Sequence, residues 1–163
     1  MVRAGSVRRE SDSSLFSRGR LDTLSPQKRS ELMARIRTKD TEPELRLRRW
    51  LHAQGLRYRL HDTALPGRPD IVFPSRKKVV FVHGCFWHRH DNCGLATHPK
   101  TRAEFWRAKF ASNVARDRAK EAALLAAGWG VLIVWQCELD DLKRIGRRVL
   151  RFLDRGRTST GGL

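Results

Sequence analysis

The segment VHGCFWHRHDNC, residues 82–93, constrains what this chain can fold into more than any other part of the sequence. It carries two of the three cysteines and three of the six histidines, and these surround the adjacent aromatic residues Phe86 and Trp87. An odd number of cysteines argues against a disulfide framework. Metal ligation or burial as small apolar side chains remain as interpretations.

The spacing of these residues favours a metal site. Three of them lie within nine residues, and the last cysteine follows the apolar segment VLIVW, residues 131–135. A closed tetrahedron of three cysteines and one histidine is typical of structural zinc, and its candidate ligands are Cys85, His90, Cys93 and Cys137. The alternative is that Cys137 is a small core residue and the others lie on the surface. If zinc fixes the segment, some of Phe86, Trp87 and His88 must face outwards.

The net charge indicates the class of partner. The chain has 34 Lys and Arg against 17 Asp and Glu, a formal charge of +17, and +13 of this lies on residues 25–154. A folded domain this basic is most simply a nucleic-acid binder, because neutralised phosphates release counterions. For membrane-surface binding, the sequence shows neither a basic amphipathic anchor nor a lipidation motif. The N-terminus lacks an apolar signal region, so the expected location is cytoplasmic.

The helices are predicted from their start and stop signals. Ser25 is predicted to cap a first helix, and a second helix is predicted from Thr41 to Gly55. A long helix is predicted from Thr101 to Gly128, and a last one over residues 141–153. The spacings Thr41-x-x-Glu44 and Thr101-x-x-Glu104 each predict a capping box.

Short extended runs supply the strands, at residues 56–60, 70–73, 79–82 and 131–135. The last is fully apolar and is therefore predicted to be buried. The predicted fold class is α/β, one domain over residues 25–154 with a central mixed β-sheet flanked by helices. The segments 1–24 and 155–163 are predicted to be disordered tails, the first of them basic.

A family resemblance sharpens this interpretation. The motifs PGRPDIVF, VVFVHGCFWHRH, TRAEFW, NVARDR and GWGVLIVWQC occur in that order over roughly residues 30–137. On these motifs the chain resembles the very-short-patch repair (Vsr) mismatch endonucleases, a zinc-stapled variant of the restriction-endonuclease-like fold. The resemblance implies an enzyme that uses Mg²⁺ to nick double-stranded DNA 5′ of the T in a T:G mismatch, in the repair of deaminated 5-methylcytosine. It also implies MutL-type repair proteins as partners. We expect the protein to be a monomer that is associated with the nucleoid.

The resemblance assigns roles to individual residues. Asp70 is implied as the carboxylate ligand of Mg²⁺, with the backbone carbonyl of Val82 as a second ligand. His88 is implied as the general base, and His83 and Glu44 as residues that hold the waters around the metal ion. The zinc ligands transfer onto the same four residues that the spacing selects.

Alternatives stay open for several of these residues. Asp70 can be a turn cap, and Glu44 can serve its capping box. His83 and His88 are alternative zinc ligands, while His61 and His98 are predicted to be surface residues. Two departures from the family pattern stand out: Val82 occupies a position where threonine is usual, and Cys93 follows His90 at one residue more than expected. The usual nuclease lysine is replaced by His83.

The resemblance also implies a DNA-binding surface. Phe86, Trp87 and Trp106 are implied to insert into the base stack beside the mismatch, although the helical pattern alone would place Trp106 in the core. An N-terminal helix is implied to lie in the minor groove and to present Met33 and Ile36, with docking on the core as the alternative. Further candidate DNA contacts are Lys109 and Asn113.

Two other functions compete with the mismatch endonuclease. One is a zinc-stabilised DNA-binding module without catalysis, which would have no need of Asp70 and His88. The other is a related nuclease with relaxed mismatch or sequence choice. The flanking sequence that such an enzyme reads does not follow from these residues.

Overall fold

A computed structural model describes residues 25, 27–28 and 39–155 of the chain. Residues 39–155 belong to one compact unit, and a separate unit ends at Ile36. In the N-terminal unit, the hydroxyl of Ser25 accepts a hydrogen bond from the backbone N–H of Lys28 at 3.3 Å. Ser25 therefore makes the capping hydrogen bond that the sequence predicts. Met33 and Ile36 lie outside the described residues, as do the segments 1–24 and 156–163.

The centre of the compact unit is a four-stranded mixed sheet. Its strands are β1 (Arg59–Leu60), β2 (Ile71–Phe73), β3 (Lys78–His83) and β4 (Gly130–Trp135). They lie in the order β1-β2-β3-β4, antiparallel between the first three and parallel between β3 and β4. The parallel pair needs a long crossover, and the chain between β3 and β4 supplies it. The mixed sheet confirms the predicted fold class.

Four helices accompany the sheet: α1 (Glu42–Ala53), the single turn α2 (Cys85–His88), α3 (Ala103–Ala126) and α4 (Leu142–Asp154). Short 3₁₀ segments follow β2 at Pro74–Arg76 and β4 at Gln136–Asp141. The α1 helix buries Leu47 and Leu51, which lie one turn apart on the same face. It starts where Pro43 and two acidic residues suit a first turn.

The two faces of the sheet carry different cores. On one face Ile71, Phe73, Val80 and Val82 pack with buried leucines and valines of α1 and α4. On the other face Val72, Val79 and Phe81 pack against Leu124 of α3. Because side chains alternate along a strand, the residue that follows Val82 on β3 points to the α3 face. This residue is His83.

Three element-level predictions are wrong. The long helix begins at Ala103, and its cap is Arg102, with φ of 54°, and not the predicted Thr101. The Thr41–Glu44 box is also wrong: Thr41 is the cap, but its hydroxyl donates to Glu44 at 2.8 Å instead of accepting from the helix. The strand β4 is only half-buried, apart from Val134, because it lies at the edge of the sheet.

Other boundaries are confirmed. Gly55 and Gly128, both with φ between 76° and 77°, follow the ends of α1 and α3 as predicted. They adopt the left-handed backbone conformation that ends many helices. Within the described part of the chain, no helix is long and apolar enough to cross a membrane.

Candidate active site and metal centre

Asp70 lies at the start of β2, where the antiparallel pairing with β3 brings it next to Val82. Its Oδ2 atom accepts a hydrogen bond from the backbone N–H of Val82 at 2.8 Å. The side chain keeps 18% exposure. One carboxylate oxygen is thus fixed by the sheet, and Oδ1 accepts no hydrogen bond from the residues that the structure describes.

The surroundings of Asp70 disfavour its negative charge. Burial, followed by the nearby carboxylate of Glu44, raises the pKa of Asp70 from 3.8 to about 6, against the lowering effect of the Val82 N–H. A bound cation would remove this cost. A carboxylate with one oxygen held and the other free therefore fits a hard divalent cation such as Mg²⁺, which prefers oxygen ligands.

Glu44 lies near Asp70 but is fully engaged. It is 4% exposed, and its Oε2 atom accepts from Arg48 at 2.7 Å and from the backbone N–H of Asp40 at 3.2 Å. The carboxylate thus pairs with a buried arginine of its own helix, four residues further on. This pairing, and not a capping box, accounts for its burial.

The two histidines of the site stack on each other on the α3 face of the sheet. The ring centroids of His83 and His88 are 3.9 Å apart, with an interplanar angle of 11°. Burial, and next the neighbouring His88, lower the pKa of His83 from 6.5 to about 3. His83 is therefore neutral at neutral pH. Since it follows Val82 directly, the stack lies one residue along β3 from the N–H that holds Asp70.

Asp117 of α3 orients His88. Its Oδ2 atom lies 2.5 Å from Nδ1 of His88, and Lys120 is 3.8 Å from its other oxygen. Burial by itself would raise the pKa of Asp117, but the hydrogen bond and charge of His88 hold it below the ordinary value. An ionised carboxylate only accepts, so Nδ1 carries the proton. The lone pair of His88 is then on Nε2, where it can accept a proton.

The structure brings the four predicted zinc ligands together. The ligand atoms of Cys85, His90, Cys93 and Cys137 all lie within 4.8 Å of one another. The Nδ1 atom of His90 is 3.7 Å from the sulfur of Cys85 and 3.3 Å from that of Cys137. A tetrahedral zinc ion with bonds of 2.3 Å to sulfur and 2.0–2.1 Å to nitrogen places these atoms roughly 3.6 Å apart. The set therefore fits such an ion.

Other contacts support this cluster. The ring of His90 stacks on Trp135 of β4, with centroids 4.3 Å apart and 10° between the planes. Burial, and then the neighbouring thiols, raise the pKa of Cys137 to about 12. Burial also raises the pKa of Cys85, whereas for Cys93 burial is outweighed by hydrogen bonds, which lower the pKa. Cys85 and Cys137 thus resist ionisation unless a cation binds them, which is what a zinc ion would do. The extra residue before Cys93 is absorbed by the turn that follows His90, where Asn92 has φ of 55°.

The predicted DNA-inserting residues form one aromatic cluster between α2 and the first half of α3. The ring of Phe86 lies 5.0 Å from Trp87, 5.7 Å from Trp106 and 5.1 Å from Phe110, always edge to face. Phe86 and Trp87 are half-buried, and Trp106 is 8% exposed. Exposed Phe105 touches Trp106 at 5.5 Å and extends the cluster to the surface.

The two polar residues of α3 that are candidate DNA contacts, Lys109 and Asn113, differ in their exposure and hydrogen bonds. Lys109 is exposed. Asn113 instead donates from its side-chain amide to the carbonyl of Trp87 at 3.0 Å and is bonded by Arg116. In the protein without DNA, Asn113 therefore holds α2 against α3.

Two residues near these sites went unassigned from the sequence. Asp117 lies in the motif NVARDR, but nothing in its spacing connects it with His88, 29 residues earlier. His61 was predicted to be a surface residue, and this is wrong: its side chain is 17% exposed and contacts Arg48 at 2.8 Å. The one sequence feature that indicates a partly buried position for His61 is that it directly follows the predicted strand 56–60.

The fold and site together define the class of this protein. A mixed sheet that presents a carboxylate and histidines at the ends of adjacent strands, with a Cys/His cluster beside them, is a restriction-endonuclease-like domain. The comparisons with known proteins then give the family. The family model described as "DNA mismatch endonuclease Vsr" matches residues 21–94. Together with curated relatives such as one that is 53% identical over 82% of the chain, this match shows that the chain belongs to the Vsr family of DNA mismatch endonucleases and is a nuclease.

Curated relatives agree with this assignment. The "Type II nicking enzyme V.XorIIP" of Xanthomonas oryzae pv. oryzae is 53% identical over 133 residues, which are 82% of this chain and 97% of that protein. The "DNA mismatch endonuclease Vsr" of Escherichia coli is 50% identical over 111 residues, 68% of this chain and 70% of that protein. The "Type II nicking enzyme V.NmeAIP" of Neisseria meningitidis is 42% identical over 82% of this chain and 94% of that protein.

Proposed function

We propose that this endonuclease nicks one strand of duplex DNA 5′ of the T in a T:G mismatch, in a reaction that depends on Mg²⁺. The observation that carries the chemistry is the arrangement of Asp70 and His88. One is a half-buried carboxylate with a free oxygen, and the other is a histidine whose partner occupies Nδ1 and so leaves the lone pair on Nε2. The E. coli relative is named a DNA mismatch endonuclease, which supports the mismatch as substrate.

Mg²⁺, held by Asp70 and the backbone carbonyl of Val82, would stabilise the charge that develops on the phosphate and the leaving oxygen. His88 accepts a proton from the attacking water at Nε2. The other ring nitrogen donates to Asp117, so the positive charge that forms on the ring meets a carboxylate at 2.5 Å. This is the orienting role that an aspartate plays for a general base.

His83 serves this arrangement as a neutral ring. Its pKa of about 3 keeps it uncharged, so it stacks on His88 without opposing the proton transfer. Glu44 is proposed to hold water around the metal ion, and its pairing with Arg48 at 2.7 Å fixes the position of its buried carboxylate. Both residues thus shape the site and do not carry the proton themselves.

Mismatch recognition is proposed to rest on the aromatic cluster. Phe86 and Trp87 belong to α2, the turn that starts at Cys85, so the proposed zinc site holds them rigidly beside the catalytic strands. Inserted rings unstack the base pair, and unstacking costs least at a mispair. Trp106, whose ring centroid lies 6.1 Å from that of Trp87, is proposed to insert together with these rings, and exposed Lys109 on the same helix is proposed to contact the backbone of the DNA.

The Cys/His cluster is proposed to hold one structural zinc ion. The support is its donor set of three sulfurs and one nitrogen at tetrahedral spacing, which leaves no position open for substrate. Elemental analysis of the purified protein tests this, with one zinc per chain as the expected result. Zinc that stays at one per chain in Cys137→Ala, without loss of stability, would reject these ligands.

The test of the function compares two duplexes that differ at one base. With Mg²⁺, the enzyme is expected to nick the duplex with a single T:G mismatch, in a pool with randomised flanking sequence, and to cut the T:A duplex far less. Without Mg²⁺ neither is cut. If every T:G duplex is bound but none is cut with Mg²⁺ or Mn²⁺, the chain is a binding module and the proposal is wrong.

A further inference from the structure

Four polar side chains form a cluster beside Asp70, and we call them the Arg48 cluster: Asp40, Glu44, Arg48 and His61. Arg48 is 6% exposed and contacts all three of the others. Its Nη1 atom pairs with Asp40, and its Nη2 atom lies 2.7 Å from Glu44 and 2.8 Å from Nε2 of His61. The cluster therefore joins α1 to the turn that follows β1.

The arginine decides which nitrogen of His61 carries the proton. A guanidinium group only donates hydrogen bonds, so Nε2 of His61 must accept at 2.8 Å. A ring with a proton on Nε2 would place two donors against each other at this distance. This contact therefore selects the tautomer of His61 that carries its proton on Nδ1.

The Nδ1 atom of His61 faces the oxygen of Asp70 that the sheet leaves free. Its distance to Oδ1 is 3.8 Å, whereas Oδ2 already accepts from Val82. A shift of about 1 Å brings Nδ1 and Oδ1 within hydrogen-bonding distance. Both oxygens of Asp70 thus have a donor nearby, one fixed in the backbone of β3 and one on His61.

We propose that His61 is a positioning residue for Asp70, with its tautomer fixed by Arg48. The N–H on Nδ1 sets the direction of the free Asp70 oxygen, so that this oxygen meets the metal ion in one orientation. Donors that orient a ligand in this way typically change metal affinity or activity 10- to 100-fold when they are removed. The proposal rests on the proposed function of Asp70 as the metal ligand.

The unfavourable free energy of burying the Arg48 side chain supports a role for this residue other than stabilising the fold. Its Nε atom is buried without a hydrogen-bond partner among the described residues. Buried ion pairs of this kind often add nothing over apolar side chains of similar volume, and an unpaired buried donor is unfavourable. Arg48 follows Leu47 on the inner side of α1, where an apolar residue would avoid both costs. Fixing the tautomer of His61 is something that an apolar residue cannot do.

The first test measures which ring nitrogen of His61 carries a proton in the wild-type protein, and a variant serves only to assign the signal. In protein with ¹⁵N-labelled histidine and without Mg²⁺, long-range ¹H–¹⁵N spectra at neutral pH distinguish a protonated from an unprotonated ring nitrogen. His61, assigned from the signal that is missing in His61→Asn, is expected to show a proton on Nδ1 and none on Nε2. A proton on Nε2 would overturn the proposal.

The second test measures metal affinity and not activity, by the electron paramagnetic resonance of Mn²⁺. His61 has φ of 48°, which glycine and asparagine adopt with little strain, so His61→Gly and His61→Asn remove the ring without straining the backbone. The glycine variant is expected to bind Mn²⁺ at least about 10-fold more weakly. The asparagine variant, whose amide can donate near the position of Nδ1, is expected to recover most of the affinity.

His98→Gly is the matched control, since His98 is an exposed histidine that contacts Arg89 and not the Arg48 cluster. It should bind Mn²⁺ like the wild type. If Asp70→Asn weakens Mn²⁺ binding but His61→Gly does not, the role of His61 is overturned while the metal site stands. If Asp70→Asn itself binds Mn²⁺ normally, the proposed function of Asp70 fails.

Discussion

At the scale of single residues, the chemistry depends on which atoms are already engaged. Asp117 takes one nitrogen of His88 and thereby leaves the other free to accept a proton. The backbone of Val82 takes one oxygen of Asp70 and leaves the second for a cation. In both side chains, the partner that binds one polar atom determines that the other polar atom stays free. A substitution of the partner should therefore impair the reaction although the reacting group remains.

Asp117→Asn tests this for the base. An asparagine amide can donate to Nδ1 of His88, which would move the ring proton to Nε2 and block the atom that accepts the proton. We expect single-turnover nicking to fall by on the order of 10²- to 10⁴-fold, the usual contribution of general-base catalysis. Binding of the mismatched duplex, measured by fluorescence anisotropy, should stay within about twofold. Nicking at the wild-type rate would show that Asp117 does not orient the base.

The same substitution has a second consequence for stability. His88 lowers the pKa of Asp117 in the folded state, so the ionised carboxylate stabilises the fold at any pH above its ordinary value of 3.8. This contribution is lost as the pH falls through the lower folded-state pKa. In urea unfolding, Asp117→Asn should be less stable than the wild type at pH 7, and the difference should close towards pH 3. The exposed Asp140→Asn, with side-chain exposure of 85%, should show little difference at either pH.

At the scale of elements, α1 and α4 pack closely on one face of the sheet. Gly146 of α4 is buried, and a Cβ atom built there would overlap the indole ring of Trp50 on α1. No side chain fits in this space. The glycine sits within the helix because Trp50 needs the space and not because the backbone needs its freedom.

Gly146→Ala separates these two effects. In an exposed helix this change stabilises by about 1 kcal/mol because alanine is the better helix former. Here we expect a loss of about 1–3 kcal/mol in the free energy of unfolding, since Trp50 must shift. Combining it with Trp50→Leu should make the alanine favourable again, as a double-mutant cycle would measure. A single variant more stable than the wild type would contradict the packing.

The elements also show how far the sequence predicts the structure. Hydrophobic runs and glycine stops placed the strands and the helix ends well, because both follow from local patterns. The predicted capping boxes were wrong because neighbouring residues took their places: Glu44 pairs with Arg48 of its own helix, and Arg102 instead of Thr101 takes the cap position of α3. The contacts of His61 with Arg48 and of Asp117 with His88 could not be predicted, since no local pattern encodes a contact between elements that are distant in the sequence.

At the scale of the whole molecule, the proposed metal-binding residues and the proposed DNA-recognition residues lie in different parts of the fold. The Asp70 end of the sheet and the Arg48 cluster are proposed to carry the metal-binding chemistry. The turn α2, fixed by the Cys/His cluster at one end and bonded to α3 by Asn113, carries the aromatic rings. His88 is the last residue of this turn, so the proposed recognition and the proposed catalysis meet there. The two functions should therefore be separable by substitution on either side.

The most direct measurement of this account compares Asp70→Asn with Trp87→Ala on T:G and T:A duplexes. For each variant, binding and single-turnover nicking are measured with Mg²⁺. Asp70→Asn should still bind the T:G duplex in preference to T:A but should not cut it. Trp87→Ala should keep measurable nicking but lose most of its preference for T:G. If Asp70→Asn cuts the mismatch at the wild-type rate, or Trp87→Ala keeps full preference, the proposed separation of chemistry and recognition is contradicted.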